Sequence, residues 1–254
     1  MNYQPVTIIA EAGINWFGNM SLAHEMIVFS RAAKADIIKF QLYRPEELLG
    51  KDSPYLAEAI AGVPTEDQAR QFKQWADEEG IEICFSVFHS DIIKFTEELG
   101  VKRYKIGSKS IEDLKLFKAI NRTKKPVFIS VPVERVGLER IYQAIRTLRD
   151  CPDITLMYCV PNYPTSVSSV CLGYVDFLHN VGQKFSRVKR AGFSSHCPDN
   201  LPTLISVVKG AKVVENHIVK DRSFKGCDVS SSLTFNEFEE MTKKIRIVEE
   251  MIKW

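Results

Sequence analysis

The segment Lys212-Val213-Val214-Glu215-Asn216-His217-Ile218-Val219 reads as a short buried strand, yet it carries a carboxylate and an imidazole. Alternate residues of an extended strand face the same way, so Glu215 and His217 share a face with Val213. A charge and an imidazole on one face of an apolar strand are costly unless they are paired or bind something. One strand earlier, Ala191-Gly192-Phe193-Ser194-Ser195-His196 ends in the same manner, with Ser194 and His196 on one face. If these strands are neighbours, two imidazoles meet at one end of a sheet, and that end is a candidate active site.

Outward from this segment, strands and helices alternate. Strand-like runs cover 6–13, 35–42, 81–88, 103–107, 126–131, 154–160, 188–195 and 212–219. Helical spacing follows each, over 20–34, 65–80, 91–100, 111–121, 138–149, 166–180, 201–209 and 234–253. The helix over 65–80 opens with a capping pattern, Thr65 then Gln68, and stops at Gly80. A longer excursion over 43–64 holds Pro45, Pro54 and Pro64. Eight strands, each followed by a helix, match an α/β fold of the parallel (β/α)8 (TIM) barrel type. No linker or composition shift divides the chain, so one domain over 1–254 is expected. The rival, a doubly wound open sheet, calls for a Gly-rich phosphate turn after the first strand, and Glu11-Ala12-Gly13-Ile14-Asn15 is not one.

Composition narrows the function. The chain has 254 residues, 45% of them hydrophobic, enough for a sizeable core. A net charge of +2 gives no reason to expect nucleic acid or an anionic membrane as partner. Six cysteines show no CxxC pair and no zinc-ribbon spacing, which points to a reducing, cytoplasmic setting. The first residues lack a signal-peptide pattern, and no apolar run is long enough to span a membrane.

Barrel enzymes take their catalytic groups from the C-terminal ends of strands. Glu11, Lys39, Gln41, Ser86, Lys105, Ser108, Tyr163, Ser194, His196, Glu215 and His217 all fall there. Singly, a strand-end lysine reaches solvent and a lone histidine is a hydrogen-bonded core residue. Together they suit an anionic substrate held by lysines. Two imidazoles on strands ~5 Å apart also suit a divalent metal, with a carboxylate nearby as acid, base or further ligand.

In order along the chain, Ile9-Ala10-Glu11-Ala12-Gly13-Ile14-Asn15, Lys39-Phe40-Gln41, Tyr104-Lys105-Ile106-Gly107-Ser108, Asn162-Tyr163-Pro164-Thr165, Gly192-Phe193-Ser194-Ser195-His196 and Glu215-Asn216-His217 with Asp228 resemble the sialic acid synthase family. That resemblance implies a (β/α)8 barrel and a transferase that condenses phosphoenolpyruvate (PEP) with a sugar aldehyde, releasing phosphate, in surface-glycan biosynthesis. It implies that His196 and His217 hold Mn2+ or Mg2+, and that Lys39, Lys105, Ser108 and Ser194 grip PEP. Glu11 would be the acid/base, with Gln41, Tyr163 and Asp228 toward the substrates. A homodimer is the family's usual assembly.

Departures from the family pattern fall mostly on the acceptor side. Trp16 stands in place of a histidine, Val87 in place of a hydroxyl that contacts PEP, Lys109-Ser110 where a sugar-contacting glutamate is expected, and Pro161 in place of an amide or hydroxyl. No antifreeze-like C-terminal domain is expected after Trp254. These changes favour an acceptor other than N-acetylmannosamine. Two alternatives stay open: a barrel that binds PEP-like anions or acts as a partner subunit without turnover, and a lyase using a Lys105 Schiff base. Trp16 and Phe17 are expected to add aromatic surface at the rim. The polar loop over 220–233 is expected either to close over substrate or to be mobile without a role. His24, His89, His179 and Cys197 carry weaker claims, read most simply as surface, loop, helix-end and unpaired side chains.

Overall fold

The computed structural model describes residues 4–252. Eight parallel strands run β1 (Thr7–Gly13), β2 (Ile37–Leu42), β3 (Glu82–Val87), β4 (Tyr104–Ile106), β5 (Val127–Val131), β6 (Ile154–Cys159), β7 (Val188–Ser195) and β8 (Val213–Val219). They pair in sequence order, and β1 pairs with β8, so the sheet closes into a barrel. A two-residue ninth strand, β9 (Leu233–Thr234), pairs parallel with Ile218 and Val219 at the end of β8. The outer ring is α1 (Met20–Ala32), α2 (Pro45–Leu49), α3 (Leu56–Gly62), α4 (Glu66–Glu79), α5 (Ile92–Glu98), α6 (Leu114–Thr123), α7 (Leu138–Thr147), α8 (Gly173–Gly182), α9 (Leu201–Val208) and α10 (Phe235–Met251). This is the expected (β/α)8 barrel. Lys253, read as the end of the closing helix, lies outside the described residues.

Local chemistry accounts for the boundaries. Thr65 and Gln68 form the capping box read in the sequence, and Gly80 ends α4 in the left-handed conformation. Thr234 and Glu237 repeat the box at α10. The stretch over 166–180 is not one helix. A 3-10 turn covers Val167–Ser169, Val170 is extended, and α8 begins only at Gly173. Serine and valine at 166–170 are poor helix formers, and the Ser166 and Ser168 hydroxyls bond to each other. Likewise, α6 starts at Leu114, where Asp113 caps it, after a 3-10 turn over Ser108–Ser110.

Strand parity divides the barrel interior into layers. Ile9, Ile37, Cys84, Phe128, Met157 and Val213 pack together as an apolar floor, separate from the larger core between sheet and helices. At the N-terminal end, Glu82 pairs with Arg103, whose guanidinium lies 5.1 Å from the Phe128 ring centre, and Asp153 pairs with Arg190. Gly192 fits because a Cβ there would come within 2.5 Å of the Val213 carbonyl oxygen. The polar residues sit one layer above the floor, toward the C-terminal ends.

Trp16 corrects the expectation of a rim aromatic. It is fully buried, its ring meets Phe72 of α4 edge-on at 5.2 Å, and its Nε1 donates to the Gly62 carbonyl at 2.7 Å. It therefore pins the 43–64 excursion to the barrel wall. Phe17 stacks on Phe224 at 5.3 Å, joining the loop after β1 to the loop after β8. Trp16→Ala should cost about 3–5 kcal/mol in a denaturant unfolding curve, the range for a large buried aromatic. An unchanged midpoint would remove Trp16 from the core.

Candidate active site

Register sets the site. Glu11 is opposite Lys39 on one side and His217 on the other; Gln41 faces Ser86, Ser86 faces Lys105, and Ser194 faces Glu215. Lys39 Nζ donates to Ser86 Oγ at 2.6 Å and lies 2.8 Å from Glu11 Oε2 and 3.7 Å from Glu215 Oε1. Lys105 Nζ donates to both oxygens of Glu215, at 2.9 and 3.2 Å. Ser194 Oγ donates to Glu215 Oε1 at 2.9 Å, and Gln41 Nε2 to Glu11 Oε1 at 2.6 Å. The result is a buried lattice of alternating charge, Glu11–Lys39–Glu215–Lys105, with neutral donors on both carboxylates.

The two carboxylates differ in proton affinity. Burial lifts Glu11 above its ordinary value, with Glu215 adding to the effect and Lys39 only partly opposing it. Burial also works against the charged form of Glu215, but Lys105 and Lys39 outweigh it and hold that carboxyl at about 2.

The imidazoles meet as expected. The His196 and His217 rings lie 5.5 Å apart. His196 Nδ1 is 2.7 Å from the Val160 carbonyl oxygen, which assigns the proton to Nδ1 and the lone pair to Nε2. Tyr163 OH is 2.8 Å from that Nε2, and its ring stacks on His196 at 4.0 Å. Burial, reinforced by His217, holds His196 down to about 3, and burial lowers His217 against the pull of Asp228. Both imidazoles therefore keep a lone pair near neutral pH. His217 Nδ1 is buried without a hydrogen-bond partner, 3.5 Å from Asp228 Oδ2.

Gly13 makes this corner possible. Its φ is +52°, and a Cβ would lie 3.1 Å from Asp228 Oδ2 and 3.2 Å from the His217 ring. Asn15 Nδ2 donates to the Ile218 carbonyl and to Ser232 Oγ, and Ser232 Oγ donates to the Asp228 carbonyl. The loop after β8 is thus tied down around Asp228.

These groups border a cavity of about 600 Å³, within the range of small-molecule sites. It is lined by Glu11, Lys39, Gln41, Lys105, Ser108, Tyr163, Ser194, His196 and His217, and Asp228 stands behind His217. The expected residues are therefore brought together. Hydroxyls and lysine meet in the β4–β7 sector (Lys105, Ser108, Ser130, Ser194). Imidazoles, carboxylates and amide meet around β8, β1 and β2. Among the described residues no three or more His, Cys, Asp or Glu side chains converge as a metal shell. The imidazole pair, with its lone pairs and the unbonded His217 Nδ1, suits an open site whose other positions fall to water or substrate.

Sequence reasoning placed Glu215 at the site without its lysine partners and did not single out Ser130 or Arg135. Glu215 was placed on the His217 face, but it is the hub between both lysines. Ser130 shares strand parity with Phe128 on β5, a usable signal. Arg135 lies in an aperiodic loop and gave none. The weaker histidines stay outside the cavity: His89 faces Glu47 at 3.4 Å, His24 packs on Trp75, and His179 bonds Gln183.

Glu215 links the site to stability. Its folded-state affinity for a proton is depressed, so its contribution is present above about pH 4.5 and is lost as pH falls from there toward about 2. Glu215→Gln leaves Lys105 buried without its countercharge, while Lys39 keeps Glu11, and should cost about 3 kcal/mol near pH 7. The gap in thermal midpoint to the parent should narrow between pH 4.5 and 3; parallel curves would contradict the lattice.

Known proteins resemble this chain in sequence and in fold. The sequence profile of the NeuB family matches residues 26–253. The human N-acetylneuraminate-9-phosphate synthase is 28% identical over 96% of this chain and 70% of its own. The pseudaminic acid synthase of Helicobacter pylori is 28% identical over 96% of this chain and 74% of its own. The crystal structure of the N-acetylneuraminic acid synthetase of Leptospira borgpetersenii, in complex with citrate, superposes with a TM-score of 0.91 at 26% identity, over 99% of this chain and 86% of that one. With the profile covering nearly its whole length and the same barrel beneath it, the chain belongs to the NeuB family.

Proposed function

We propose that this protein condenses phosphoenolpyruvate with the open-chain aldehyde of a sugar, in the manner of a nonulosonic acid synthase, and releases phosphate. The observation that carries this is the lattice Glu11–Lys39–Glu215–Lys105 beside two neutral imidazoles in one cavity. The names of the relatives, synthases of N-acetylneuraminate 9-phosphate and pseudaminic acid, support the product class.

In this reading C3 of PEP bonds to the aldehyde carbon, a water oxygen bonds to C2, and the C2–O bond to phosphate breaks. Lys39 and Lys105 bind the carboxylate and phosphate, each ammonium having donors beyond its glutamate. Ser108, Ser130 and Ser194 orient the anion by hydrogen bonds. Glu11, whose proton affinity burial raises, serves as acid/base at the aldehyde oxygen or the attacking water, and Gln41 positions it. Tyr163 and Asp228 face the sugar. His196 and His217 would hold Mn2+ or Mg2+, which when bound supplies Lewis-acid polarisation of an oxygen. Changes at Lys109, Ser110 and Pro161 favour an acceptor aldose other than N-acetylmannosamine. A Schiff base at Lys105 is disfavoured, because the ammonium is paired with both Glu215 oxygens rather than set in apolar surroundings.

Incubation with PEP, Mn2+ and a panel of aldoses should release phosphate only when an acceptor and the metal are both present. Lys105→Met should lower that rate by about 100-fold, the scale of losing one preorganised charge contact. Stabilisation by PEP and Mn2+ with no release for any acceptor would instead identify a binding barrel.

A further inference from the structure

The charges on the cavity floor do not by themselves make a receptor for a phosphate. Two ammoniums, Lys39 and Lys105, are matched there by two carboxylates, Glu11 and Glu215. A phosphomonoester carries between one and two negative charges near neutral pH. Against a balanced floor it finds hydrogen-bond donors but no excess positive charge, and its desolvation is left uncompensated.

Lys109 also lines the cavity, and Arg135 adds a further cation. It lies on the loop between β5 and α7 and lines the same cavity wall as Ser108 and Ser130. Its Nη2 donates to the side-chain oxygen of Asn162 at 2.8 Å. That partner is neutral, so it directs the arm and leaves the charge intact. No carboxylate pairs with Arg135 among the described residues, and Glu112, on the same wall, reaches Arg140 at 3.4 Å. A guanidinium has five donors in a planar fork matched to phosphate oxygens.

We infer that Arg135 binds the phosphate group of the substrate, with Asn162 as its positioning residue. The inference rests on the reading of this cavity as a PEP site, and it names the contact that holds the phosphate end in the β4–β7 sector. The ligand class is a phosphomonoester, committed here to PEP rather than to a phosphorylated sugar.

Calorimetric titration of the full chain tests this with PEP, inorganic phosphate, pyruvate and mannose 6-phosphate. Arg135→Gln should weaken PEP and inorganic phosphate by about tenfold, as for loss of a charge-assisted contact at a solvent-exposed edge, and leave pyruvate unchanged. Arg135→Lys should recover part of the loss, and Asn162→Ala should show a smaller one. Because Arg135 is exposed, the thermal midpoint of Arg135→Gln should match the parent. Unchanged PEP affinity in Arg135→Gln, with Lys105→Met still weakened, overturns the inference and leaves the PEP reading standing. A loss confined to mannose 6-phosphate overturns it too, placing the guanidinium on the acceptor. Failure of the parent itself to bind PEP or phosphate removes the site reading and the inference together.

Discussion

Two carboxylates remain inside this barrel because ammoniums from other strands pair with them, Lys39 between the two and Lys105 beyond Glu215. Burying one unpaired ion costs several kcal/mol, and here four are buried at once. They are tolerable as an alternating row, with Ser86, Ser194 and Gln41 taking up further hydrogen-bonding capacity. The row exists only when the barrel closes. Glu11 comes from β1, Lys39 from β2, Lys105 from β4 and Glu215 from β8, and the β1–β8 seam brings the first and last of these within reach of one lysine.

The lattice also differentiates its members. Glu215 is flanked by both lysines and its proton affinity is depressed, whereas Glu11 has one lysine and a neutral amide and its proton affinity is raised by burial. Environments that push two like groups apart in proton affinity separate a proton-transfer group from a fixed countercharge. The imidazole corner adds a third character, two rings that keep their lone pairs. One barrel rim thus combines a sector of hydroxyls and lysine, a carboxyl of raised proton affinity and a pair of imidazoles with lowered proton affinity, each set by neighbours rather than by residue type.

Much of this was legible in the sequence, for a physical reason. A strand buried on both faces reads as an apolar run, so a polar residue near its end stands out, and parity says which face it takes. That reasoning located the imidazole pair and both lysines. It could not show that Glu215 reaches lysines on β2 and β4, because reach across a barrel depends on closure and depth. Trp16 was misread for a related reason: a residue in a loop has no period, and its partner Phe72 belongs to a helix much later in the chain. The serine-rich stretch over 166–170 carries helix-compatible spacing but lacks helix-forming residues, and spacing alone overstated α8.

The apolar floor has a bearing on traffic. With Ile9, Ile37, Phe128 and Met157 filling the middle of the cylinder and paired arginines at its far end, the chamber is a cul-de-sac. Whatever enters must turn back through the doorway it came by. Any two molecules held in the chamber would share that doorway, so the one nearer the mouth would have to leave before the deeper one.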